Sequence, residues 1–97
     1  MKESITKSEY AKNPRVVAQT VEGQAVLLNL DNGSYFVLND TGTEIWERVD
    51  TMTAAEISNQ LARIYAATEA AVAPTIEDFI DRLTKEGLLC EPDTAKP

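Results

Sequence analysis

The chain has 97 residues, 43% of them hydrophobic, and a net charge of −7. This length supports one domain with a single modest core, and no apolar run approaches the ~20 residues of a membrane span. The sequence has no histidine and only one cysteine, which excludes disulfides and the usual Cys/His zinc sites. Between Val16 and Cys90 four basic residues stand against twelve carboxylates, a balance that disfavours nucleic-acid and anionic membrane partners.

The first predicted segment, residues 1–13, is polar, mixed in charge and without period, which is typical of a flexible arm. Pro14 marks the entry to regular structure, because it biases the preceding residue toward an extended conformation. We expect the folded domain to cover residues 14–91 and residues 92–97 to form a tail. The N-terminus has no apolar stretch for a secretory signal, so a cytoplasmic location is expected.

Period-two patterns predict three strands, over Val16–Val21, Gln24–Leu30 and Ser34–Leu38. Glu22-Gly23 predicts the first turn, since glycine tolerates positive φ. Asn32-Gly33 predicts the second, as a tight hairpin whose two central residues both have positive φ. The second strand is apolar on both faces for much of its length and therefore suits the middle of an antiparallel meander.

The pattern changes to helical spacing after the third strand. Asn39 or Asp40 is expected to cap a short helix that ends near Val49, and Thr53 opens a second helix with a capping-box pattern. Trp46 and Tyr65 fall in register with the apolar stripes of these two helices. Both aromatic side chains are therefore expected in the core.

A third helix ends at Gly87, a residue that suits the position after a helix C-terminus. Two start positions are compatible with the sequence of this helix. Pro74 fits the first turn of a helix that begins near Ala73, whereas a helix that begins at Thr68-Glu69 would contain Pro74 and be kinked by it. The later start is preferred.

The sequence shows no pattern of catalytic residues. There is no glycine-rich phosphate loop and no metal-ligand spacing, so neither a metal nor a cofactor is expected. Acid pairs such as Asp78 with Asp81 occur at the spacing of a solvated helix face. We therefore expect a protein that is not an enzyme.

The third predicted strand is an edge strand with an unprotected side. Tyr35 and Val37 alternate with Phe36 and Leu38, so one pair faces the core and the other points away on an edge strand. Edge strands usually carry lysine or proline to prevent pairing with another chain, and this strand has neither. Either the third helix covers this side, or the open edge accepts a peptide.

These features together resemble one family. The hairpin, the capping residues Asn39-Asp40-Thr41 and the final Gly87-Leu88-Leu89 resemble the PqqD-like family, whose folded unit is also called the RiPP recognition element, over about Val16 to Leu89. The resemblance implies an α+β fold of order β-β-β-α-α-α, winged-helix-like, as the patterns above also indicate. It further implies binding of the leader segment of a ribosomally synthesised precursor peptide, which is presented to a modifying enzyme.

In this family the peptide lies between the third strand and the third helix. By position, the peptide-binding residues are expected to be Ser34, Tyr35, Phe36, Val37, Leu38, Ile76, Asp78, Phe79, Ile80, Asp81 and Leu83, some of which must belong to the core. Asp78 and Asp81 would pair with basic leader residues at the rim. Peptide binding would occur by addition of a fourth strand to the third.

The resemblance does not select a pathway. Similar proteins act beside a radical SAM enzyme, or beside a leader peptidase and a cyclase in lasso-peptide biosynthesis. A homodimer through the strand edge is also compatible with the pattern. Two other functions are the alternatives: a winged-helix DNA-binding regulator, which the charge disfavours, and a docking subunit of an enzyme complex that does not read a leader.

Overall fold

The fold comprises a three-stranded sheet, three helices and a small two-stranded sheet. The structure is a computed structural model that describes residues 10–90. Its elements are β1 (Ala11–Lys12), β2 (Val16–Val21), β3 (Gln24–Asn29), β4 (Tyr35–Val37), α1 (Asp40–Arg48), α2 (Ala54–Ile64), α3 (Glu69–Lys85) and β5 (Leu89–Cys90). The expected α+β class and the order of three strands before three helices are confirmed. No helix within residues 10–90 is long and apolar enough to span a membrane.

Strands β2, β3 and β4 form an antiparallel meander with β3 in the middle, as predicted. Leu27 pairs with Ala18 on one side and with Phe36 on the other. The inward residues of β3, Ala25, Leu27 and Asn29, are buried beneath the helices. Because side chains alternate across a strand, the residues between them point to the other face of the sheet.

The first hairpin turn forms where it was predicted, whereas the second differs from its prediction. Glu22 and Gly23 both have positive φ, 52° and 83°, so the weaker turn signal forms the tight two-residue turn. The Asn32-Gly33 prediction is wrong in detail, since only Gly33 has a positive φ there and the loop has four residues, 30–33. The Oδ1 atoms of Asn29 and Asn32 accept hydrogen bonds from the N–H groups of Asp31 and Ser34, which favours the longer loop.

The helices begin at residues that cap them. Asn39 Oδ1 accepts a hydrogen bond from Gly42 N at 2.8 Å, and Thr53 and Glu56 form the predicted capping box. The preferred late start of the third helix is wrong: α3 begins at Glu69, with Thr68 as its cap. Thr68 Oγ1 accepts a hydrogen bond from Ala71 N, so the helix has a capped start well before Pro74.

The core lies between the inner face of the sheet and the three helices. Its fully buried side chains are Leu27, Ile45, Val49, Ile57, Leu61, Ile76 and Leu88. Trp46 is buried, as expected, but Tyr65 is 42% exposed and the expectation for it is wrong. The buried part of the stripe ends at Leu61 and Ala62, and Ile64, the last residue of α2, is also 48% exposed, so the end of this helix projects beyond the core.

The last part of the predicted arm is ordered. Ala11 and Lys12 pair with Cys90 and Leu89, and Asn13 donates hydrogen bonds to the carbonyl oxygens of Gly87 and Leu88. The ammonium group of Lys12 lies 4.6 Å from the ring centroid of Trp46. The chain before residue 10 and the predicted tail lie outside the described residues.

We predict that Thr53→Ala lowers the free energy of unfolding by about 1 kcal/mol, because the first turn of α2 loses its capping hydroxyl. Thr53→Ser keeps that hydroxyl and is expected to retain most of the stability. Urea unfolding followed by circular dichroism measures both variants. An equal loss of stability in the two would show that the hydroxyl does not stabilise this helix.

Candidate functional site

The β4 strand has one side without a partner strand. Leu38 N donates to Ala25 O, and Asn29 N donates to Ser34 O, each at 2.8 Å. Hydrogen-bonded pairs alternate along an antiparallel ladder, so Tyr35 and Val37, which lie between these bonds, direct their N–H and C=O groups away from β3. Among the described residues no strand pairs with this side. The edge therefore presents two free backbone donors and their carbonyl oxygens.

A groove of about 310 Å³ runs beside this edge. Its walls come from β4, from the start of α1 and from one face of α3, and its lining residues are Phe36, Val37, Leu38, Asn39, Thr41, Gly42, Ile45, Thr75, Phe79, Arg82, Leu83, Glu86 and Leu88. The volume is at the low end of the roughly 300–1,000 Å³ of small-molecule sites. It suits one or two side chains of a ligand whose backbone lies on the edge.

Gly42 determines how closely α1 and α3 approach in the groove. A Cβ atom on Gly42 would lie 3.0 Å from Cζ and 3.2 Å from Cε1 of Phe79. A glycine inside a helix costs roughly 1 kcal/mol relative to alanine, yet here it leaves room for the Phe79 ring. The half-buried ring forms the part of the groove floor that faces α1.

Two charged side chains line the groove, Arg82 and Glu86. Arg82 lies on α3 and Glu86 caps the C-terminus of this helix, one turn further along and on the same side as Phe79. No ion pair within 4.0 Å joins Arg82 to any described carboxylate. The groove thus combines an apolar floor with one cation and one anion at its α3 wall.

The outer face of the sheet is apolar and solvent-exposed. Val17, Leu28 and Tyr35 stand side by side across the three strands, and Tyr35 is 67% exposed. Val26 and Val37 form a second row, with Val37 58% exposed. The outward positions of these strands carry no charged side chain. Helix α3 therefore leaves this face open, and the alternation predicted for Tyr35 and Val37 is confirmed.

The structure brings together only part of the residues predicted for the site. Phe36, Val37, Leu38, Phe79 and Leu83 line the groove, whereas Ser34 directly precedes β4 and Tyr35 is its first residue. The others do not line it: Ile76, Asp78, Ile80 and Asp81.

The reason is the rotation of α3. Ile76 and Ile80 are buried in the core. Asp81 forms an ion pair with Lys85 and lies beside a second cavity, lined also by Tyr10 and Ala54, on the other side of the helix. Neither Asp78 nor Asp81 is among the groove-lining residues, of which Glu86 alone carries a carboxylate.

Eight of the groove-lining residues were not predicted from the sequence: Asn39, Thr41, Gly42, Ile45, Leu88, Thr75, Arg82 and Glu86. A signal for the last two was present, since Thr75, Phe79, Arg82 and Glu86 are spaced i, i+4, i+7 and i+11 and therefore share one face of a helix. That face carries one aromatic residue among polar ones, so it does not stand out as an apolar stripe.

The model of the family described as coenzyme PQQ synthesis protein D (PqqD) matches residues 24–89. The chain belongs to the PqqD family. The match begins at β3 and ends at Leu89 in β5, so it contains β4 and every helix that lines the groove. The resemblance stated from the sequence is confirmed.

Two solved structures share the fold. TbiB1 in complex with the TbiA(beta) leader peptide is 28% identical to this chain, with a TM-score of 0.76 over 80% of this chain and 92% of the other. Lasso peptide synthetase B1 complexed with the leader peptide is 24% identical, with a TM-score of 0.78 over 86% of this chain and 99% of the other, and at this identity shows the fold alone. A comparison with curated protein sequences finds no match.

We predict that Gly42→Ala displaces the Phe79 ring into the groove while the protein stays folded. The added methyl group lies too close to the ring, which can move because the groove is open, and the gain of up to about 1 kcal/mol in helix propensity offsets part of the strain. Aromatic NMR resonances of Phe79 and methyl resonances of Leu83 report the displacement. The double variant Gly42→Ala/Phe79→Leu has no ring to displace, so its Leu83 methyl resonances should resemble those of the single variant Phe79→Leu. Unchanged Phe79 resonances in folded Gly42→Ala would contradict the prediction.

Proposed function

We propose that this protein binds the leader segment of a ribosomally synthesised precursor peptide as a fourth strand on β4 and presents it to a modifying enzyme. The observation that carries the proposal is the open edge of β4, with two free backbone donors directly beside a groove. The likeness to TbiB1, whose structure contains a leader peptide, supports the same function.

The bound peptide would alternate between two environments. Its backbone pairs with Tyr35 and Val37, which gives affinity that does not depend on sequence. Every second side chain points inward, to the groove between β4 and α3, and the intervening side chains extend the outer face beyond Tyr35. Ordering a flexible leader costs entropy, so we expect affinities from micromolar to high nanomolar.

The proposed role is binding without catalysis. The chain has no histidine, and the described residues hold no group of three or more side chains that could ligate a metal ion. The chemistry would be supplied by a cytoplasmic partner, either a radical SAM enzyme or a leader peptidase with a cyclase.

A second role, docking to an enzyme or to another copy without leader recognition, is favoured by the exposed outer face. Val17, Tyr35 and Val37 are each at least half exposed, and apolar patches of this kind mark interaction surfaces. Light scattering of the purified protein, alone and with the candidate enzyme, tests this role. Complex formation that is independent of any leader peptide would support it.

Leader binding is tested by fluorescence anisotropy. Labelled leader segments of precursor peptides encoded beside this gene, and the TbiA(beta) leader, are titrated with the protein, and scrambled peptides of the same composition serve as controls. Saturable binding of at least one leader and of no scrambled peptide is expected. Failure of every leader to bind at millimolar protein concentration would overturn the proposed function.

The edge is tested by a matched pair of proline substitutions. Val37→Pro removes a free donor of β4, and Ala18→Pro removes the equivalent free donor of β2, so neither breaks a hydrogen bond of the ladder. We predict that Val37→Pro weakens leader binding about tenfold or more, equivalent to ~1.4 kcal/mol, and that Ala18→Pro has little effect.

Circular dichroism and thermal melting must first show that both variants are folded, because proline can also disturb the sheet. The reverse result, with Val37→Pro binding like the wild type and Ala18→Pro failing to bind, would place the peptide on the β2 edge.

A further inference from the structure

Arg82 is a cation in the groove that pairs with no carboxylate of residues 10–90. The described residues include six basic side chains, of which Lys12, Arg15, Arg48 and Lys85 form ion pairs. Arg82 and Arg63 form no ion pair with another residue in this described part of the chain. In a folded part with twelve carboxylates, most cations find a partner, and Arg82 lies on the groove wall without one.

Among the described residues Arg82 is unpaired, although two carboxylates are close to it in the sequence. Asp78 lies four residues before Arg82 on α3, a spacing at which opposite charges commonly pair, and Glu86, the C-cap of the helix, lies four residues after it. Lys85 pairs with Asp81 at this same spacing, at 3.1 Å, yet neither neighbour lies within 4.0 Å of the Arg82 guanidinium. The guanidinium therefore keeps its donors available on the groove side of the helix.

A guanidinium presents a planar fork of N–H donors that matches both oxygens of a carboxylate. The neighbouring groove wall is apolar, with Phe79 and Leu83 on α3 and Phe36 on β4. A peptide strand on β4 would cover this wall and reduce the access of water, which strengthens an ion pair formed there. Glu86 lies one turn further along the same wall and would repel a second carboxylate at that end of the groove.

We propose that the groove selects leader segments that carry a single acidic side chain, aspartate or glutamate, at one inward-facing position of the added strand, where Arg82 binds it. This inference rests on the proposed function and replaces the selection of basic leader residues expected from Asp78 and Asp81. The net charge of −7 repels acidic peptides in general. The net charge therefore does not explain a preference for an acid at a single position, whereas an ion pair with Arg82 does.

The experiment uses a phage-displayed library of random decapeptides, because it requires no known leader. Three full-length proteins are used for separate selections: the wild type, Arg82→Glu and Arg63→Glu. Arg63→Glu is the matched control, since it makes the same charge change at the other unpaired arginine, on α2 and outside the groove-lining residues. Thermal melting confirms that the proteins are folded.

Peptides selected on the wild type and on Arg63→Glu are expected to share an aspartate or glutamate at one position. Peptides selected on Arg82→Glu are expected to carry lysine or arginine there. A synthetic consensus peptide should bind the wild type about three- to fivefold more tightly than its Glu→Gln or Asp→Asn analogue, and this ratio should disappear in Arg82→Gln.

The outcomes separate this inference from the function on which it rests. If selected peptides bind, and Val37→Pro abolishes their binding, but no position prefers an acid or the preference persists in Arg82→Glu, then the role of Arg82 is wrong and the proposed function stands. If no peptide is enriched on the wild type and no leader binds, both are wrong.

Discussion

The pairing of Leu27 with Phe36 is the constraint on which the site depends. In an antiparallel ladder the residues that exchange hydrogen bonds also share a face, so the inward-facing pairs of β3 and β4 are the hydrogen-bonded ones. Tyr35 and Val37 then have exposed side chains and free backbone groups together. A shift of the strand register by one residue would expose the Leu27 side chain and direct the free N–H groups away from the open edge. The register that buries the core therefore also specifies the binding edge. The core and the edge thus use alternate residues of a single short strand.

Much of this arrangement follows from the sequence, because it depends on local periodicity. Alternation over 35–38 predicts which side chains face out, and the apolar second strand predicts the strand order. The caps at Asn39 and Thr53 are also readable, since each hydrogen bond joins residues three apart in the chain. These signals need no knowledge of tertiary contacts.

The features that could not be predicted depend on contacts between distant residues. The side of α3 that faces the groove is set by burial of Ile76 and Ile80, so Arg82 rather than Asp81 lies at the wall. The nearest atom to a Cβ at position 42 would belong to the Phe79 ring, which is 37 residues away in the chain. Tyr65 matched an apolar stripe whose buried part ends at Leu61 and Ala62, near the end of α2 at Ile64. In each case a tertiary contact or an element boundary overrides the local pattern.

The pairing of β1 with β5 has a consequence for the architecture of larger proteins. Ala11 and Cys90 are directly opposite each other, so the chain enters and leaves the folded unit at adjacent points. Neither strand pairs with β4. A unit whose ends meet can be inserted into a surface loop of an enzyme with short linkers and little strain on the host. The same fold can therefore work as a separate subunit or as a built-in module, and transfer between the two would not require a new binding edge.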